Sequence, residues 1–410
     1  MDILTIITIL ILISAVFSYL NDRLIKLPRV IGLVTISIVV SMLILVLGKT
    51  TNGLTDTIKT LAQSIDFSKV LLNVMLGFLL FAGAFHFDYQ KLKAQRLPVF
   101  LLSTLGVIIS TGVFGALLYL VTFLLGIELP IIYCFLFGAI VSPTDPIAVT
   151  AILKTSKIPP RLNTIISGES LFNDGVGLML FVIILGIANK SGSSSFGEIL
   201  QLSVQEVGGG IIIGLILGYL GYQLMKSIQD FQTIFLISVA LVLLISLIAG
   251  KFHASIPLAA VTAGLIVGNK STDKTNIADQ SLDKVWQLVN DLLNTILFVM
   301  IGLQMVVMPF LHEFWVIGLV SIIILLIARL VSIAVPVVVL LRKFNLGNLS
   351  ILTWAGLRGG ISLAMALTLP ASPYRELILA SCYFVVIFSI IFQGLTLKKV
   401  VAIAVRHKAE

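Results

Sequence analysis

The sequence predicts an all-α polytopic membrane protein, and three observations carry that reading. Of its 410 residues, 58% are hydrophobic and 11% charged, with a mean hydropathy of +1.13, whereas a soluble domain carries about 25% charged residues. The apolar residues gather into runs of the length that crosses a bilayer, about 20 residues. The basic residues lie between those runs, concentrated on alternate sides. That distribution accounts for the net charge of +8 without invoking nucleic acid. Cys134 and Cys382 both sit in apolar runs, so neither a disulfide framework nor a Cys-based zinc site is on offer. His86, His253, His312 and His407 fall at run ends or in the tail, and HExxH, Walker and GxSxG motifs are absent from the sequence.

Taken in order, thirteen spans are expected, at 3–20, 30–47, 70–87, 98–122, 130–153, 162–188, 201–223, 231–249, 254–268, 291–310, 314–341, 349–369 and 375–397. The first has no positive stretch ahead of it; Arg23, Lys26 and Arg29 follow it, so it reads as an uncleaved span and not a signal peptide. Connections are brief except 48–69 and 269–290. The second, with Asp273, Asp279, Asp283 and Lys284 beside Leu282, Val285 and Trp286, could form an amphipathic interfacial helix. Thirteen crossings with the N-terminus outside put nineteen of the 27 basic residues in cytoplasmic segments and six outside. Such a bias is what sets orientation. The other two, Arg329 and Arg358, lie inside spans 11 and 12.

Two spans are interrupted. Span 5 contains Val141-Ser-Pro-Thr-Asp-Pro146, and each proline removes a backbone donor and clashes with the carbonyl four residues back. The helix must unwind or kink around Asp145, which is tolerable at membrane depth only against protein or a wet cavity. Span 12 carries Trp354-Ala-Gly-Leu-Arg-Gly-Gly-Ile361. Spans 5 and 12 are an odd number apart and cross in opposite directions. If spans 1–6 and 8–13 are inverted repeats joined by span 7, the interruptions occupy equivalent places, a pointer to a secondary-transporter site. Asp145 and Arg358 are suitably signed to neutralise the helix ends exposed there, a role we prefer to that of ion ligand. Span 7 has Gly210, Gly214 and Gly218 at helical spacing, which reads as close helix packing.

Span 6 opens with Ser167-Gly-Glu-Ser-Leu-Phe-Asn-Asp-Gly-Val-Gly-Leu-Met-Leu-Phe181. On a helix, Glu169, Ser170, Asn173 and Asp174 fall within an arc of roughly 140°. Two carboxylates, an amide and a hydroxyl on one face suit a hard cation and also a proton. A carboxylate at membrane depth costs several kcal/mol unless paired or wetted. Arg329 in span 11 needs such a partner. Glu169 is preferred and Asp174 is the rival, because pairing Asp174 would give an ion site a permanent positive neighbour.

The Ser-Pro-Thr-Asp-Pro of span 5, the Gly-Glu-Ser-Leu-Phe-Asn-Asp-Gly of span 6, the arginine of span 11 and the Gly-Leu-Arg-Gly-Gly of span 12 resemble one family. The sequence is similar to the monovalent cation:proton antiporters of the NhaP and sodium/proton exchanger type, across essentially all thirteen spans. The resemblance implies a homodimer in a lipid bilayer. Each protomer would slide a core of spans 4–6 (97–188) and 11–13 (313–400) past a scaffold of spans 1–3 (1–96) and 7–10 (189–312). A short cytoplasmic tail (401–410) stands where relatives carry regulatory tails, and the expected location is a prokaryotic inner membrane. It also implies an ion site of Asp174, Asn173, Ser170 and Thr144, the last largely through its backbone. Glu169 and Arg329 match a structural salt bridge, and Asn173-Asp174 marks electroneutral exchange. No cofactor is implied; Na⁺ (or Li⁺) and H⁺ are the cargo. The alternatives are K⁺/H⁺ exchange on the same fold, a cation channel, for which no filter-like loop is present, and an intramembrane enzyme using Ser170 and Glu169, which lacks a partner base.

Overall fold

The computed structural model describes residues 3–47, 67–145, 149, 158–189, 196–270, 277–307, 314–340 and 346–406. Every regular element among them is helical. In chain order they are α1 (Ile3–Leu20), α2 (Arg29–Leu47), α3 (67–85), the short α4 (Tyr89–Ala94), α5 (Arg96–Leu124), α6 (Ile131–Val141) and α7 (Pro160–Asn189). Then come α8 (Phe196–Lys226), α9 (Phe231–Lys251), α10 (Ile256–Lys270), α11 (Ile277–Leu303) and α12 (Trp315–Val335). The last are α13 (Leu346–Trp354), α14 (Gly360–Leu367) and α15 (375–406). Among the described residues, nine helices are long and apolar enough to cross a membrane, and three shorter ones, at Leu76–Phe85, Ile131–Val141 and Ile256–Asn269, are also apolar.

The outer surface of these helices is built for a solvent other than water. On α8 alone Ile212, Leu215, Ile216 and Leu220 are exposed, and α1 adds Leu4, Ile7, Ile11 and Leu12. Inside, two apolar clusters form. One joins α3, α8, α9 and α10 around Trp286; the other gathers α1, α2, α5, α6, α7 and the helices from α12 onward. In the first cluster α8 packs on α10 at backbone distance. A β-carbon at Gly214 would lie 2.5 Å from the Ala259 carbonyl oxygen, and one at Gly218 2.7 Å from Ala263 Cα. Small residues at such crossings let dispersion contacts do what hydrophobic burial cannot do in lipid.

The stretch expected as an interfacial helix is placed otherwise. Residues 277–290 form the first half of α11, although 271–276 lie outside the described residues. Trp286 is fully buried, 4.8 Å from the Phe81 ring centroid, and its indole N–H donates to Ser238 Oγ at 3.1 Å. The stripe Leu282, Trp286 and Val289 meets α3 and α9 instead of lipid headgroups, and a charged outer face belongs equally to a helix packed on protein. Aspartates 273 and 279 belong to the same expectation: the first lies outside the described residues, and the side chain of the second is not described.

Two helix ends position the site. α6 stops at Val141, and residues 142–145 are not helical; Pro143 has no N–H to continue the ladder, and Pro146 lies outside the described residues. α13 stops at Trp354 and α14 begins at Gly360, with Gly359 extended at φ −127° and ψ −159°. Both gaps sit beside α7.

Candidate functional site

Helix α7 carries the four polar residues of span 6 into the interior. Glu169, Ser170, Asn173 and Asp174 are all at most 2% exposed, as is Thr144 from the gap after α6. Three of them touch directly. The Asn173 amide nitrogen donates to Thr144 Oγ1 at 2.6 Å, and Thr144 Oγ1 lies 2.8 Å from Ser170 Oγ. Thr144 already receives the amide proton, so its own proton is free to go to Ser170. The side-chain oxygen of Asn173, Oδ1, is buried without a hydrogen-bond partner.

Asp174 faces a different way. With Thr144 and Asp145 it lines the deep end of a cavity of about 610 Å³. Its rim is formed by His86, Asp88 and Lys91 after α3 and by Asn290 and Asp291 of α11. All of these rim residues but Asn290 are exposed. Among the described residues no basic side chain pairs with Asp174.

Glu169, five residues earlier, faces α12. Both its oxygens accept from Arg329, Oε1 from Nη1 and Oε2 from Nη2, the latter at 3.0 Å. Arg329 Nη2 also reaches the Leu352 carbonyl near the end of α13 at 3.3 Å. A two-pronged guanidinium–carboxylate pair neutralises both charges in a low-dielectric interior. Gly356 gives it room, because a β-carbon there would fall against the guanidinium.

The two interrupted regions grip each other. Arg358, fully buried, donates from Nη1 to the Ser142 and Pro143 carbonyls at 2.6 and 3.0 Å, where α6 ends. Asp145 lies against Gly359, the residue just before α14; any β-carbon at 359 would collide with its carboxylate. The Asp145 N–H donates to the Leu357 carbonyl at 2.7 Å. A cation thus meets a helix C-terminus and a carboxylate meets an N-terminus, each the favourable sign.

The sequence singled out all eight of these residues, and the structure brings them into one region, with Thr144, Asp145 and Asp174 at the cavity and Glu169 turned away from it. It missed Ser389 and Gln393 of α15. Ser389 Oγ accepts the Arg358 N–H at 2.8 Å and donates to Gln393 Oε1 at 2.6 Å. Two polar residues one turn apart in an apolar run were the available signal. It could not have found the carbonyls of Leu357 and Leu352, which have no side-chain signature.

The model of the family described as "Sodium/hydrogen exchanger, transmembrane" matches residues 9–403. The chain is 40% identical over 399 residues to the Na(+)/H(+) antiporter NhaP of Pseudomonas aeruginosa, covering 94% of this chain and 93% of that one. It is 32% identical over 349 residues to the Na(+)/H(+) antiporter NhaH of Halobacillus aidingensis, covering 83% and 84%. Its fold is similar to the sodium proton antiporter MjNhaP1 of Methanocaldococcus jannaschii, with a TM-score of 0.79 at 19% identity over 98% of this chain and 99% of that one. Matched almost end to end by that family model and by relatives at these identities, this multi-pass membrane protein belongs to the transmembrane sodium/hydrogen exchanger family.

Proposed function

We propose that this chain is a secondary transporter exchanging Na⁺ (or Li⁺) for H⁺, with Asp174 occupied in turn by the cation or the proton. The observation that carries the reading is a buried carboxylate without a basic partner among the described residues, at the floor of a cavity that Thr144 also lines. Asp174 ionised offers a hard oxygen site with Thr144 and Ser170. Protonated, it is neutral. Either occupant cancels the charge, so the loaded site can cross an apolar barrier and the empty, charged one cannot. Because Asn173 cannot titrate, one cation exchanges for one proton and the cycle is electroneutral. Asn173 then orders Thr144, to which its amide nitrogen donates, and its unpartnered side-chain oxygen stays available to the cation.

In this reading Glu169 and Arg329 hold α7 to α12, while Asp145 and Arg358 compensate the helix ends. The chain crosses the membrane thirteen times, N-terminus outside and C-terminus cytoplasmic, with inverted repeats at spans 1–6 and 8–13. The core (97–188 and 313–400) moves as an elevator against the scaffold (1–96 and 189–312) of a homodimer in a prokaryotic inner membrane. The cavity would then open to the cytoplasm, since His86, Asp88 and Lys91 lie on that side. The protein is a transporter and not an enzyme, it needs no cofactor, and its relatives are named as antiporters. Proteoliposomes of the full chain test the reading. Addition of Na⁺ or Li⁺ should drive saturable proton movement that Asp174→Asn abolishes. Movement driven by K⁺ alone would reassign the cation, and unsaturable cation flux without proton movement would indicate a channel.

A further inference from the structure

The peptide unit joining Leu357 to Arg358 is held at both edges. Its carbonyl accepts the Asp145 N–H at 2.7 Å. Its N–H donates to Ser389 Oγ at 2.8 Å, and Ser389 passes its own proton to Gln393 Oε1 at 2.6 Å. The Arg358 side chain closes the loop by donating to the Ser142 and Pro143 carbonyls. Thr144 is therefore flanked on both sides by backbone atoms fixed from the 357–358 pair: the Pro143 carbonyl before it and the Asp145 N–H after it. Every side chain in this chain of bonds is at most 8% exposed, with Ser389 at 0% and Gln393 at 1%. Ser389 and Gln393 lie in a π-helical turn of α15, Phe388–Gln393. It is one of five π-helical turns among the described residues, and such turns are frequent at functional sites.

We infer that Ser389 is a positioning residue for cation binding: through the 357–358 peptide it sets the backbone around Thr144 at the floor of the cavity. The Ser389 hydroxyl has one proton, which Gln393 takes, so toward the Arg358 N–H its oxygen can only accept. Consecutive hydrogen bonds in a low-dielectric interior polarise one another, so the bond from Asp145 N–H to Leu357 is strongest when Ser389 completes the series. Without the hydroxyl, a buried N–H is left unsatisfied and the peptide must tilt toward another acceptor. That tilt draws the Leu357 carbonyl away from Asp145 and moves Thr144 relative to Ser170 and Asp174. Selection between cations of different radius depends on just those separations.

The inference rests on the exchange reading, and one set of proteoliposomes separates the two. Initial rates of Na⁺- and Li⁺-driven proton movement are measured for wild type and Ser389→Ala over a range of cation concentrations. The half-saturating Na⁺ concentration should rise about two- to tenfold, the worth of one buried hydrogen bond. The Na⁺-to-Li⁺ ratio of half-saturating concentrations should change, and the maximal rate per folded molecule should stay within about twofold. Gln393→Leu strips the hydroxyl of its acceptor but leaves the Arg358 contact, and should act in the same direction more weakly; it carries the test if Ser389→Ala does not fold. A lower maximal rate with unchanged half-saturating concentrations and an unchanged ion ratio would overturn the inference, because mere packing in α15 would do that. Wild type that moves no protons with any monovalent cation would overturn the exchange reading, and this inference with it.

Discussion

Glu169 and Asp174 are carboxylates five residues apart on one helix, and both are almost completely shielded from solvent. They differ in what they face. Glu169 meets a guanidinium that accounts for both its oxygens, and its charge is neutralised permanently by the fold. Asp174 meets a cavity that reaches an exposed rim, and among the described residues no basic side chain pairs with it. Five residues turn the helix by about 500°, or 140° net, which is enough to send one group between α12 and α13 and the other toward the gap after α6. Burial alone therefore does not assign a role to an intramembrane carboxylate; the charge opposite it does.

The largest effect should come from making the two alike. Asp174→Asn can neither release a proton nor balance a cation, so proton movement in proteoliposomes should fall to the protein-free background while yield and melting temperature stay close to wild type. At the other carboxylate the expectation is reversed. Glu169→Gln or Arg329→Ala strands a buried charge and should cost about 3–5 kcal/mol of stability, read as a lower melting temperature in detergent and less folded protein. The double variant should recover part of that loss, because neither charge is left alone. A coupling energy near zero would place Glu169 with the cation ligands and erase the contrast.

The contrast was half legible in the sequence. Apolar length located the helices: the expected span 162–188 is the helix Pro160–Asn189. Helical periodicity put Glu169 and Asp174 within one arc, and the cost of a lone intramembrane charge required a partner for Arg329. What distinguishes the two carboxylates is tertiary. The choice between Glu169 and Asp174 for Arg329 depends on where α12 lies. The cavity that Asp174 faces is bounded by α11, whose first half reads in sequence as a separate amphipathic stretch because its charged outer face interrupts the apolar run. The backbone groups that brace Thr144 carry no sequence signal at all. Ser389 and Gln393 were visible as polar residues in an apolar run, but their meaning comes from the Arg358 N–H opposite them.

Smaller effects sharpen the comparison further. Thr144→Val and Ser170→Ala each remove one oxygen from the buried Thr144–Ser170 hydroxyl pair, and each should raise the half-saturating Na⁺ concentration by about two- to tenfold, with little change in melting temperature. Asp88 supplies a third kind of carboxylate. It caps α4, accepting from the Gln90 and Lys91 N–H groups at 2.9 and 3.2 Å, with the Lys91 ammonium at 3.4 Å. The Lys91 N–H is the main reason its carboxyl sits below its ordinary value. A carboxyl depressed in the folded state stabilises it above the unfolded pKa, and that contribution disappears as pH falls through the folded one. Asp88→Ala should therefore lower stability at neutral pH by no more than about 1 kcal/mol and make no difference in acid, with the half-saturating Na⁺ concentration unchanged.

The most direct test asks whether cation and proton compete for Asp174. Na⁺ is added to the detergent-solubilised full chain in weak buffer at a series of pH values, and released protons are counted with an electrode. Saturable release is expected, rising to at most about one proton per chain where the site starts protonated, with none from Asp174→Asn. Release from Asp174→Asn equal to wild type, or Na⁺ binding with no proton release across the whole pH series, would contradict the account.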